Sequence, residues 1–118
     1  MRRDEARDWA LALDIVWYCD RAAGFVNGMD AEGFRTSDIH RYAVERCVSV
    51  VGEAAAKLSD GFRSSLPDIP WHAVIGMRHV VVHDYGRVDL DRLWETVTIA
   101  MPRLASRLRP LIPPDETP

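Results

Sequence analysis

Apolar residues recur along this chain at steps of three and four, the spacing of one face of a helix, and the elements they predict are helical throughout. Trp9, Ala12, Val16, Cys19, Ala23 and Val26, widened by Leu13, predict a first helix over about 4–26, with Asp8, Asp14 and Asp20 keeping its other faces wet. Asn27-Gly28 stops it. Asp30 to Thr36 connects, with Phe34 plugging the bundle end, and Ser37 or Asp38 caps a second helix over about 38–58. That helix carries two stripes, Ile39, Ala43, Cys47, Val50 and Ala54 beside Val44, Val48, Val51, Ala55 and Leu58, which places it at the centre of a bundle. Ser59-Asp60-Gly61 ends it. Phe62 to Leu66 form a short turn, and Pro67 and Pro70 hold the next connection extended.

Pro70 suits a first helical position and Gly86 the residue just past a helix end, so a helix over about 70–84 follows, anchored by Trp71. Gly76 inside it points to a close approach of another backbone, either the second helix or a second chain, because a helical glycine costs about 1 kcal/mol relative to alanine. Asp89 caps the last helix, where Trp94, Val97, Met101, Leu104 and Leu108 line one face and Pro102 bends or interrupts the rod. The fold class expected is all-α: an up-down bundle of four main helices with short extra turns over 1–110, then an extended tail over 111–118.

Composition changes this picture little. With 118 residues, 47% apolar and 28% charged, the chain suits one domain with a core. No run approaches the roughly 18 apolar residues that span a bilayer, and a cytoplasmic protein is expected, with Cys19 and Cys47 as buried reduced thiols. The net charge of −3 argues against a dedicated nucleic-acid surface. All cations but Lys57 are arginine; Arg2, Arg3 and Arg7 cluster at one end and Arg103, Arg107 and Arg109 at the other, and a solvated face is the plainer reading of both clusters.

Reactive chemistry concentrates in one stretch. Arg78, His83 and Tyr85 put a permanent cation, a group titrating near neutrality and a phenol within eight residues, the equipment for handling a phosphate ester. On one straight helix Arg78 and His83 point about 140° apart and cannot grip one phosphate. Either the helix ends or bends near His83, or two chains share the site; the second is favoured here. Glu53, between Gly52 and Ala54, is either a surface carboxylate or a partner for Arg78 or His83. Without a shared site, Arg78 reads as an ion-pair partner and His83 as a helix cap.

Gly52-Glu53-Ala54 on a long helix, then Pro70-Trp71, then Gly76-Met77-Arg78 with His83 and Tyr85, resembles HepT, the toxin of HepT/MntA toxin–antitoxin systems, within the HEPN superfamily of helical ribonucleases. The resemblance spans about residues 8–110. It implies a dimeric, metal-independent endoribonuclease, without a cofactor, in which Arg78 and His83 are catalytic; beside them Glu53 and His79 are candidate supporting residues, and Asp84 either faces solvent or orients His83. It also implies that a MntA-like nucleotidyltransferase attaches AMP to Tyr85, placing negative charge beside the arginine. Two rivals stand beside it. HEPN-like domains also serve as inactive nucleotide- or partner-binding modules, and His72, His79 and His83, within about 40° on an ideal helix, could form a metal-binding face.

Overall fold

The computed structural model describes residues 3–81 and 89–113. Within them every regular element is helical: α1 (Arg3–Phe25), α2 (Ala31–Arg35), α3 (Asp38–Lys57), α4 (Asp60–Ser65), α5 (Trp71–Gly76), α6 (Arg78–Val81), α7 (Leu90–Glu95) and α8 (Met101–Leu108). A π-helical turn, Thr96–Ala100, joins α7 to α8, and a 3-10 turn, Arg109–Leu111, follows. Helix starts carry short polar caps that satisfy free N–H groups. Asp30 accepts from Gly33 N, Ser37 from His40 N, Ser59 from Phe62 N and Asp89 from Arg92 N.

The long helix α3 packs against α1 on one side and against α5 and α6 on another, the central position its double stripe predicts. Val44, Val48, Val51 and Ala55 are sealed from solvent, whereas Ile39 at the helix start is 80% exposed. On α1 the buried face is Ala12, Ile15, Val16, Cys19 and Ala22, turned about one residue from the expected stripe, and Ala23 faces solvent. The turn follows from α1 lying between α3 and α8, so that it buries a broad face. Asp8, expected to be wet, is buried. Its carboxylate accepts from the Ser59 backbone N at 2.8 Å and from Ser59 Oγ at 2.6 Å, while that hydroxyl caps α4, so one carboxylate ties the start of α1 to the α3–α4 corner.

The segment between α4 and α5 is turned rather than extended. Ile69 N donates to Leu66 O and Trp71 N to Ile69 O, which tucks Ile69 into the core. Trp71 is half-buried, and its indole N–H is shared between Arg63 O and Leu66 O at 3.1 Å each, with the ring edge-on to Phe62. Pro70 stands at the cap, one residue before the first helical position expected for it. Pro102 shows its influence just upstream: Met101 N reaches back five residues to Thr96 O, a widened turn that precedes the residue with no N–H to give. Thr96 and Thr98 hydroxyls bond to Arg92 O and Trp94 O at 2.8 and 2.7 Å. Beyond α8, the 3-10 turn carries Ile112 back into the core.

Within the described residues of one chain, Gly76 is not where α3 and the α5–α6 segment meet. Among the described residues nothing lies within 4 Å of a Cβ placed there, whereas a Cβ on Gly52 would come 2.7 Å from Arg78 N and 3.1 Å from Ile75 O. The expected close approach exists, but α3 supplies the glycine. Gly52→Ala is therefore expected to lower stability by about 1–3 kcal/mol by prising α5 and α6 off α3. Gly76→Ala is expected to raise it by up to about 1 kcal/mol through helix propensity. Urea midpoints of the two variants check both signs.

Candidate active site

The contact at Gly52 fixes the first residue of α6, and that residue is Arg78. The rod expected over 70–84 is interrupted at Met77, whose N–H turns back to Val74 O while its side chain is buried. Arg78 thus opens a new helical segment whose backbone is pressed against α3. Its side chain is half-buried, and Nε is buried with no hydrogen-bond partner among the described residues. A buried donor left unmatched costs about 1–3 kcal/mol. A phosphate oxygen is the kind of acceptor that would relieve it, in the charge-assisted geometry guanidinium favours.

The other residues fall into two groups. Glu53 is exposed on α3 and forms no ion pair with Arg78 among the described residues; the two stand on neighbouring elements with Gly52 between them. His79 is exposed on α6 and His72 on α5. The interruption at Met77 lies between these histidines, so the single straight helix that would align His72, His79 and His83 as a metal face is not kept. No metal-binding group of three or more His, Cys, Asp or Glu occurs among the described residues. His83, Asp84 and Tyr85 lie outside the described residues.

Sequence reading passed over one polar pair. Arg41, Glu45 and Gly52 project within about 40° of one another on an ideal helix, so they share one flank of α3. Glu45 is mostly buried, with Arg41 Nε 4.0 Å from its carboxylate, and Arg41 Nε has no hydrogen-bond partner among the described residues. Burial pushes the Glu45 carboxyl above the usual carboxylate range, and the Arg41 charge only partly offsets this. The signal available in the sequence was an Arg and a Glu four apart on the same flank as a mid-helix glycine.

Comparison with known proteins places the chain in a family. A family model described as Ribonuclease HepT-like matches residues 15–111. The chain belongs to the HepT-like ribonuclease family. It is 35% identical over 103 residues, covering 87% of this chain and 89% of the relative, to a protein of Methanocaldococcus jannaschii that carries a provisional RNase name. A second protein of that organism, with the same kind of name, is 34% identical over 103 residues, covering 87% of this chain and 85% of the relative. A relative in Thermococcus cleftensis named "Probable ribonuclease HepT" is 29% identical over 109 residues, covering 92% of this chain and 94% of its own length. No solved structure matches. The all-helical bundle agrees with the HEPN-like fold of the HepT-like family, and no helix among the described residues is long and apolar enough to cross a membrane.

Glu45 gives this HepT-like chain a pH signature. A carboxyl raised above its unfolded value binds its proton more tightly in the native chain, so the native state loses stability as pH rises through that range. Glu45→Gln should match the wild type in urea midpoint near pH ~3 and gain on it as pH rises past about 4–5. A difference that does not change with pH would contradict this account of Glu45.

Proposed function

We propose that this protein is a metal-independent endoribonuclease of toxin type, in which Arg78 and His83 from two chains meet at one cleft. The observation that supports this most is Arg78 itself, pinned at its backbone by Gly52 and carrying a buried Nε unmatched among the described residues, five residues ahead of His83. A structural arginine is ordinarily paired; among the described residues this one forms no ion pair and keeps a donor to give.

The chemistry needs no metal. His83 of one chain takes the proton of the ribose 2′-OH, the 2′ oxygen bonds to phosphorus, and the P–O5′ bond breaks as His83 of the other chain protonates the departing 5′ oxygen. The products are a 2′,3′-cyclic phosphate and a 5′-OH. Arg78 neutralises the charge that accumulates on the phosphoryl oxygens and stays protonated throughout. His79 and Glu53, exposed on α6 and α3, are supporting groups at the mouth of the cleft, and Asp84 orients His83. Regulation follows from the same donors. A MntA-like nucleotidyltransferase that attaches AMP to Tyr85 would place a phosphate where it competes with RNA for Arg78.

Purified wild type is expected to cut RNA in excess EDTA and leave 2′,3′-cyclic phosphate ends. Arg78→Ala and His83→Ala, folded by circular dichroism, should each lose at least about 100-fold in rate. Cleavage abolished by chelation would refute the metal-free mechanism. A cognate nucleotidyltransferase should label the wild type with AMP and leave Tyr85→Phe unlabelled; equal labelling of the two refutes the assignment of Tyr85.

A further inference from the structure

The net charge of −3 leaves a ribonuclease with the task of holding a polyanion. The charge is unevenly spent. Arg35, Arg63, Arg107 and Arg109 are paired with Asp91, Asp60, Asp68 and Asp20, so the cluster near the end of α8 is largely neutralised where it stands. A groove of about 240 Å³ between α1 and α3 is different. Trp17, Arg21 and Phe25 line one wall and Arg46 the other, with Ala43 and Cys47 at its floor and no carboxylate among its lining residues. Neither Arg21 nor Arg46 forms an ion pair among the described residues.

Arg21 is stacked on aromatic rings instead. The Arg21 guanidinium lies 4.8 Å from the Trp17 ring centroid and 5.9 Å from that of Phe25, and both rings remain substantially exposed at 44% and 38%. Outside the groove, near the start of α3, Arg41 stacks over Tyr42 at 4.7 Å, and that ring is 58% exposed. The cationic field reaches inward: burial pushes the Cys47 thiol up, and the charges of Arg21 and Arg46 oppose it. Aromatic faces beside unneutralised guanidinium groups are what unstacked bases and their phosphates bind, through stacking and charge together.

We propose that the α1–α3 groove is a docking site for a single-stranded segment of RNA, with a base stacked against Trp17 and its guanidinium neighbour, and phosphates held by Arg21 and Arg46. The proposal rests on the ribonuclease reading and deepens it: substrate is gripped at a surface separate from Arg78, so one cleft need not carry all the affinity. Charge favours RNA over a second copy of the chain. A two-fold interface centred on the groove would set Arg21 and Arg46 against their own copies with no carboxylate between them.

The test uses His83→Ala protein, which holds RNA uncut, and a fluorescein-labelled single-stranded RNA of mixed sequence followed by anisotropy. Adding Trp17→Ala should weaken binding about tenfold or more, with Trp17→Phe recovering most of it. Adding Arg21→Ala or Arg46→Ala should each lower the slope of log affinity against log salt by about 0.7. In the His83-intact enzyme the same groove changes should raise KM. Unchanged affinity and salt slope overturn the proposal, even if the wild type cuts RNA. Weaker binding accompanied by dissociation of the assembly in sedimentation velocity also overturns it, marking the face as a subunit interface. Groove-dependent binding by a wild type that never cuts RNA would sink the cleavage reading and leave the groove standing.

Discussion

One close contact governs the rest of this molecule: the backbone at the α5–α6 junction lies against α3 at Gly52, at a distance only a hydrogen side chain permits. Two helices normally stand 8–10 Å apart with side chains between them. Removing the side chain at one position lets the Ile75 carbonyl and Arg78 amide come down onto the α3 surface. The reactive stretch is therefore registered by main chain on main chain, which does not depend on rotamers or on the ionisation of any partner. A guanidinium attached at that point starts from a fixed backbone position, the kind of placement that binding a phosphate would require.

Around that contact the bundle is secured by short polar ties rather than by a dense network of surface charges. Asp8 reaches from α1 to Ser59 and through it to the cap of α4, and the Trp71 indole closes the α4–α5 turn. These ties fix the end of the bundle from which α5 departs, and so fix the direction in which it meets Gly52. The surface pairs Arg35–Asp91 and Arg109–Asp20 are exposed and contribute little to stability. Their larger effect is on the charge pattern, since they neutralise cations on two faces, whereas Arg21 and Arg46 of the α1–α3 groove form no ion pair among the described residues.

The sequence carried the helical architecture because helix-forming patterns and caps are local. Ser37 and Asp89 start their helices as their side chains predict, and Pro102 disturbs its helix as a residue without an N–H must. What was not legible depends on which faces meet. Gly52 and Gly76 are both glycines inside helices, and only the packing of α5 and α6 on α3 tells which one a neighbour needs. Asp8 looked like a solvated charge because its partners lie 51 residues away. The buried face of α1 lies about one residue from the stripe its sequence suggests, because α8, distant in sequence, widens the face α1 must bury. Arg78 stands out in the sequence by its chemistry, whereas Arg41 and Glu45, four apart, read as an ordinary surface pair until burial is known. His83 and Tyr85 rest on chemistry and family membership alone.

In the proposed mechanism the Gly52 contact presents the Arg78 guanidinium to a phosphate of bound RNA. The Nε–H resonance of Arg78, assigned by substitution in 15N-labelled protein, reports on it directly. On saturation with an RNA whose scissile 2′-OH is replaced by hydrogen, the account predicts a large downfield shift of that one resonance as its unmatched donor gains an acceptor. Saturable binding seen at other residues, with the Arg78 Nε–H resonance unmoved, would contradict it.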